Sequence, residues 1–184
     1  MKFLPLLFFI AMSSPTYASS KCSIKSKDLN FITPKANNIA NTYWQDSNEN
    51  EESVKRLHIT YKDGSTAVIK HTFCSEYKFE AVYYTEEQEQ TNSTDKIKAS
   101  FTTFFSYVAH KDNMQKKAIK SMMAELDKYT FVPDEAFGAT YNGHESVYGD
   151  TSYSVLYSPL NYSAIYSAAI SVEVGIGGNT LKSL

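Results

Sequence analysis

The chain has 184 residues, 42% of them hydrophobic, and a formal net charge of −2. That is enough apolar material for one packed domain and too little positive charge for a phosphate-binding surface. Arg56 is the only arginine, and phosphate and base-edge recognition favour arginine forks on a basic patch, so a nucleic-acid partner is set aside.

Residues 1–20, MKFLPLLFFIAMSSPTYASS, place a lysine before an apolar run from Phe3 to Met12 and then a small-residue exit, Thr16-Tyr17-Ala18. This is the layout of a cleaved secretory signal, and the run is too short to span a bilayer. Cleavage is expected after Ala18, giving a signal peptide over 1–18 and a single domain over 19–184, periplasmic or secreted. Cys22 follows Lys21, so a lipid anchor at that cysteine is not expected. No later stretch is apolar enough to cross a membrane. Cys22 and Cys74 are the only cysteines, and in an oxidising compartment they are expected to form one disulfide.

Thr33 can cap a helix and Pro34 suits its first position, so a short helix is expected over residues 34–44. Ile39, Ala40, Tyr43 and Trp44 would share its buried face. The acidic stretches Asp46 to Glu52 and Glu86 to Asp95 read as solvated loops. Between them, RLHITYKDGSTAVIKHTF reads as a hairpin. A two-residue Asp63-Gly64 turn would set Ala67 and Ile69 opposite Thr60 and His58. A three-residue loop, Lys62 to Gly64 with Gly64 left-handed, pairs Tyr61 with Ser65 instead. Only the second register gathers Leu57, Ile59, Tyr61, Ala67, Ile69 and Phe73 on one face, with Arg56, His58, Thr60, Thr66, Lys70 and Thr72 on the other. Burial selects it, because a slip of one residue scrambles the sorting.

Strands are expected over Tyr77 to Tyr84 and, from alternating apolar residues, over Ile97 to Val108. A long amphipathic helix follows in DNMQKKAIKSMMAELDKY, with Met114, Ala118, Met122 and Leu126 in one stripe and Asp112 and Gln115 as its capping box. Asn142-Gly143 signals a tight turn. Tyr153 to Tyr157 and Tyr162 to Gly175 form a second hairpin around Pro159, with Ile170, Val172 and Val174 alternating inward. The expected fold is α+β: a single antiparallel sheet of about six strands, beginning as a meander, packed by one long amphipathic helix and a shorter N-terminal helix.

The chemistry-bearing residues do not assemble into a catalytic motif. The hairpin register separates His58 from His71, and no cysteine-histidine spacing resembles a zinc site. In His144-Glu145, Tyr148 stands where a zinc-protease helix needs its second histidine. No G-x-S-x-G occurs, and His144, Asp150 and Ser152 read as polar turn residues. Glu76 and Glu80 share a strand face but lack the desolvation that raises a carboxyl pKa. Val174-Gly175-Ile176-Gly177-Gly178 has no room after it for the helix a phosphate loop needs. No metal or cofactor is expected.

Six of the 14 tyrosines fall between Tyr141 and Tyr166, interleaved with serine. Tyrosine offers large contact area, little entropy loss and a polar tip, and is also a good strand residue. Tyr153, Tyr157, Tyr162 and Tyr166 are therefore candidates for a recognition surface. Lys116, Lys117 and Lys120, opposite the apolar stripe of the long helix, are candidates for contact with an acidic partner. The function expected is an exported, non-enzymatic binding protein, of the inhibitor or immunity type, acting on a protein partner. The other expectation is a small-molecule or hydrolytic pocket near His71.

Overall fold

The computed structural model describes residues 22, 24–86, 93–108, 120, 123–124, 127–128, 135–145, 149–161 and 163–176. Among the described residues, seven antiparallel strands form one sheet: β1 (Ile39–Glu49), β2 (Glu52–Tyr61), β3 (Thr66–Phe73), β4 (Tyr77–Thr85), β5 (Phe137–Glu145), β6 (Gly149–Pro159) and β7 (Ala168–Ile176), with a helix, α1 (Thr94–Phe105), between β4 and β5 and a short 3-10 turn, Ser26–Asp28, ahead of β1. The strand order is β1-β2-β3-β4-β7-β6-β5, so two meanders meet at the β4–β7 ladder.

The β2–β3 hairpin has the register that burial selects. Leu57 pairs with Ile69 and Ile59 with Ala67. The Tyr61 amide donates to the Ser65 carbonyl, and Gly64 has φ +89°, a conformation that suits glycine. Alternation does the rest. Leu57, Ile59, Ala67, Ile69, Tyr77, Phe79, Ala81, Ile170, Val172 and Val174 are all buried on one inner face.

Two covers lie on that face. Over β4, β7 and β6 it is α1, which buries Ile97, Phe101, Phe104 and Phe105; Phe104 packs on Tyr83 and Phe105 on Tyr153. Over β1 to β3 it is the strap formed by Cys22 and residues 24–38. The Cys22–Cys74 disulfide and the Ile24 amide bonded to the Cys74 carbonyl tie this strap down. Phe31 then packs against Trp44, His71 and Phe73.

Several expectations are corrected. Residues 39–44 are strand, not helix: Trp44 turns toward the core and neighbouring Tyr43 is exposed, as a pleat demands. Pairing with the apolar edge of β2 outweighs the cap signal at Thr33, whose hydroxyl instead accepts from Trp44 Nε1 at 2.9 Å. Most of the Asp46–Glu52 stretch belongs to β1 and β2, joined at Asn50 and Glu51, both at positive φ. Residues 97–105 are helix, not strand. Ile97, Phe101, Phe104 and Phe105 follow helical spacing, and the hydroxyls of Ser100, Thr102 and Thr103 each bond the carbonyl four residues back. Asn142 and Gly143 pair with Ser152 and Thr151 inside β5 and are not a turn. The expected long helix over residues 112–129 lies mostly outside the described residues. Within it, Met123 packs against the core and Asp127 pairs with Lys98 at 3.3 Å.

Candidate protein-contact face

The second face of the sheet is built from the residues between the buried ones, and its rows follow from the ladders. One row runs Tyr43, His58, Val68, Val82, Ser171, Leu156 across β1, β2, β3, β4, β7 and β6. The next runs Gln45, Arg56, Lys70, Glu80, Glu173, Ser154. The first row is mainly apolar, continues onto β5 at Gly138, and exposes Tyr43 at 55% and Leu156 at 47%. Tyr43 stacks on His58 with ring centroids 4.4 Å apart.

The second row is ionic. Arg56 pairs with Glu49 and also donates to the Ser47 hydroxyl. Lys70 reaches Glu80 at 3.2 Å and Glu49 at 3.8 Å. The hydrogen bond from Arg56 holds the Glu49 carboxyl below its ordinary pKa. Glu173 stands directly opposite Glu80 on the β4–β7 ladder, and among the described residues it has no ion pair. Directly opposed like charges on neighbouring strands are unfavourable.

The rim of this face is aromatic on one side. The loop after β6 brings Tyr166 against Tyr84, with its hydroxyl 3.3 Å from that of Thr66. Ile165 beside it is 63% exposed. On the other side Val54 and Thr72 are already buried.

The inner face holds a different cluster. His71 is fully buried, packed by Phe31, Trp44, Tyr77 and Phe79, with Nδ1 3.0 Å from the Tyr77 hydroxyl. Burial, with Lys55 nearby, pushes its pKa down to about 4. Lys55 opposes His71 on β2, bonds both Asp46 oxygens at 2.7 and 2.9 Å, and lies over the Phe31 and Trp44 rings. A cavity of about 370 Å³ of mixed polar and apolar lining lies next to Lys55 between the strap and the β1–β2 end, and His71 does not line it. Among the described residues no cluster of histidine, cysteine and carboxylate groups could hold a metal.

The candidate residues divide. Tyr153 and Tyr157 are fully buried on the inner face, so they belong to the core and not to a recognition surface. The alternation that makes β6 a strand is what turns them inward. Tyr166 is at the rim of the outer face. Tyr162, Lys116 and Lys117 lie outside the described residues, and Lys120 is exposed. Cys22 and Cys74 are bonded to each other. Helical spacing over residues 34–44 hides Tyr43 as an outward strand residue, and the tyrosines around Leu156 carry the stronger recognition signal in the sequence. No helix of the described residues is long and apolar enough to cross a membrane. No protein-family model, curated protein or solved structure matches this chain.

Proposed function

We propose that this is an exported, non-enzymatic binding protein of the inhibitor or immunity type, acting on a protein partner, and that the open sheet face makes the contact. The observation that carries the reading is the row from Tyr43 to Leu156, an apolar stripe with exposed large side chains at both ends, flanked by an ionic row and a tyrosine rim. An apolar centre with a polar border is the composition of protein contact surfaces. Export is supported by the signal-like N-terminus and by the disulfide, which persists in oxidising compartments. The small-molecule or hydrolytic reading at His71 has less behind it, because four aromatic side chains pack around the ring and the nearby cavity is lined without it.

The test is affinity capture from the envelope and secreted fractions of the source organism. The wild-type protein should retain a stoichiometric protein that the Tyr43→Asp, Leu156→Asp double variant loses. Repeated recovery of nothing stoichiometric, or equal recovery by the folded double variant, would remove the proposal.

A further inference from the structure

We infer that the open face is complementary to itself and that it docks a second copy of this chain, face to face, about a twofold axis nearly parallel to the strands and lying between β3 and β4. This rests on the reading of the face as a protein-contact surface and names the partner. A rotation about such an axis lays each row of one copy over the same row of the other and reverses its order across the strands. Of the seven strands, the six β1-β2-β3-β4-β7-β6 have their midpoint between β3 and β4, and the edge strand β5 overhangs the contact.

The ionic row reads neutral, plus, plus, minus, minus, neutral: Gln45, Arg56, Lys70, Glu80, Glu173, Ser154. Reversed on itself, it sets Arg56 over Glu173, Lys70 over Glu80 and Gln45 over Ser154. The apolar row, reversed, sets Tyr43 over Leu156, His58 over Ser171 and Val68 over Val82. The large apolar side chains exposed at the two ends of the row thus cover each other. The axis position is not arbitrary. Moving it onto β3 stacks Lys70 on Lys70 and leaves Leu156 uncovered. Moving it onto β4 stacks Glu80 on Glu80. Only the midpoint satisfies both rows.

The arrangement also resolves the Glu80–Glu173 opposition. Within one chain Lys70 serves Glu80, and Glu173 has no ion pair among the described residues. Arg56 of the second copy arrives over Glu173 and supplies the missing cation. Sheets packed face to face in this way lie about 10 Å apart with strands roughly aligned. Six strands at about 4.8 Å, and three rows at about 6.8 Å with the Tyr84–Tyr166 rim included, cover roughly 600 Å² per copy. The total, about 1,200 Å², is at the lower bound for a stable specific interface.

Sedimentation velocity of the oxidised chain, over a micromolar-to-millimolar series, tests this. The wild-type chain should form dimers, and Arg56→Glu or Glu173→Arg alone should weaken them about a hundredfold, since each reversal creates two like-charge contacts across the axis. Circular dichroism verifies that each variant is folded, and Leu156→Asp gives an independent disruption. An equimolar mixture of the two charge variants should recover the dimer: the introduced carboxylate meets the introduced guanidinium at one contact, and Glu173 meets Arg56 at the other. A chain monomeric throughout the series overturns the inference and leaves the contact-face proposal to the capture experiment. A dimer indifferent to both reversals, or a mixture that restores nothing, overturns it as well. A dimer that obeys the charge exchange while capture finds no other protein upholds the self-association and removes the inhibitor reading.

Discussion

The His71 ring is held neutral at physiological pH, because burial opposes the charged form and Lys55 adds to the opposition. A neutral imidazole has one N–H and one lone pair. Nδ1 meets the Tyr77 hydroxyl, and among the described residues Nε2 has no hydrogen-bond partner. Leaving such an atom buried costs about 1–3 kcal/mol, and the surrounding aromatic rings return only a weak contact. The sign of the pH dependence follows. The folded ring titrates near 4 and the unfolded ring near 6.5, so between those values the unfolded chain binds the extra proton. This group's contribution is complete above pH 6.5 and is lost as pH falls through 4, an effect of about 3 kcal/mol. Urea titrations between pH 7 and pH 4 measure it. The His71→Phe variant should show a flatter profile than wild type over that window, and parallel profiles would rule out the assignment. His71's inward position was legible in the sequence through strand parity alone. Its environment was not, because Phe31 and Trp44 reach it from segments whose structure the sequence did not reveal.

Where packing and local signals agreed, the sequence could be read to the residue. The β2–β3 hairpin is such a case, since only one loop length sorts its side chains. Its turn leans on Gly64 at φ +89°, where a Cβ would also press on the Glu86 carboxylate. The exposed carboxylate can move aside, so the backbone conformation sets the cost. Gly64→Ala should lower stability by about 1–2 kcal/mol and Gly64→Asn by less, as read from denaturant midpoints. The α1 segment shows the opposite outcome. Phe101, Phe104 and Phe105 fit a helical stripe, while Ile97, Ala99 and Phe101 also fit a strand, and threonine and phenylalanine tilt the local preference toward sheet. The tertiary answer puts Ala99 outside and buries the stripe on β7 and β4. The β1 segment differs for the reciprocal reason: its strand character comes from pairing with β2, and local sequence does not show that β2 has a second neighbour besides β3. The open face therefore stayed illegible beyond Arg56, His58 and Lys70, for the rows exist only once β1, β4, β7 and β6 are laid beside them.

At the scale of the molecule, the strap has little secondary structure of its own and is tied to the sheet by a covalent bond. The Cys22–Cys74 link spans 52 residues. Chain entropy assigns a loop of that length about 4 kcal/mol, an upper value for what oxidation contributes. Replacing both cysteines by serine should lower the urea midpoint by up to that equivalent and deprotect the strap amides first in hydrogen exchange. Uniform loss of protection across all strands would show instead that the strap and sheet unfold as one unit.

The joint between the two meanders has a consequence for biogenesis. Strand β4 ends at Thr85, and its neighbour on the far side, β7, begins at Ala168. A ribosome adding about 5–20 residues per second leaves β4 waiting roughly 4–17 s for that neighbour. During the wait the first four strands can zip up in order, but the outer edge of β4 stays bare, its backbone groups not yet paired with β7. Such an edge is a template for wrong pairings. A chain built this way gains from being kept unfolded until all of it has been synthesised.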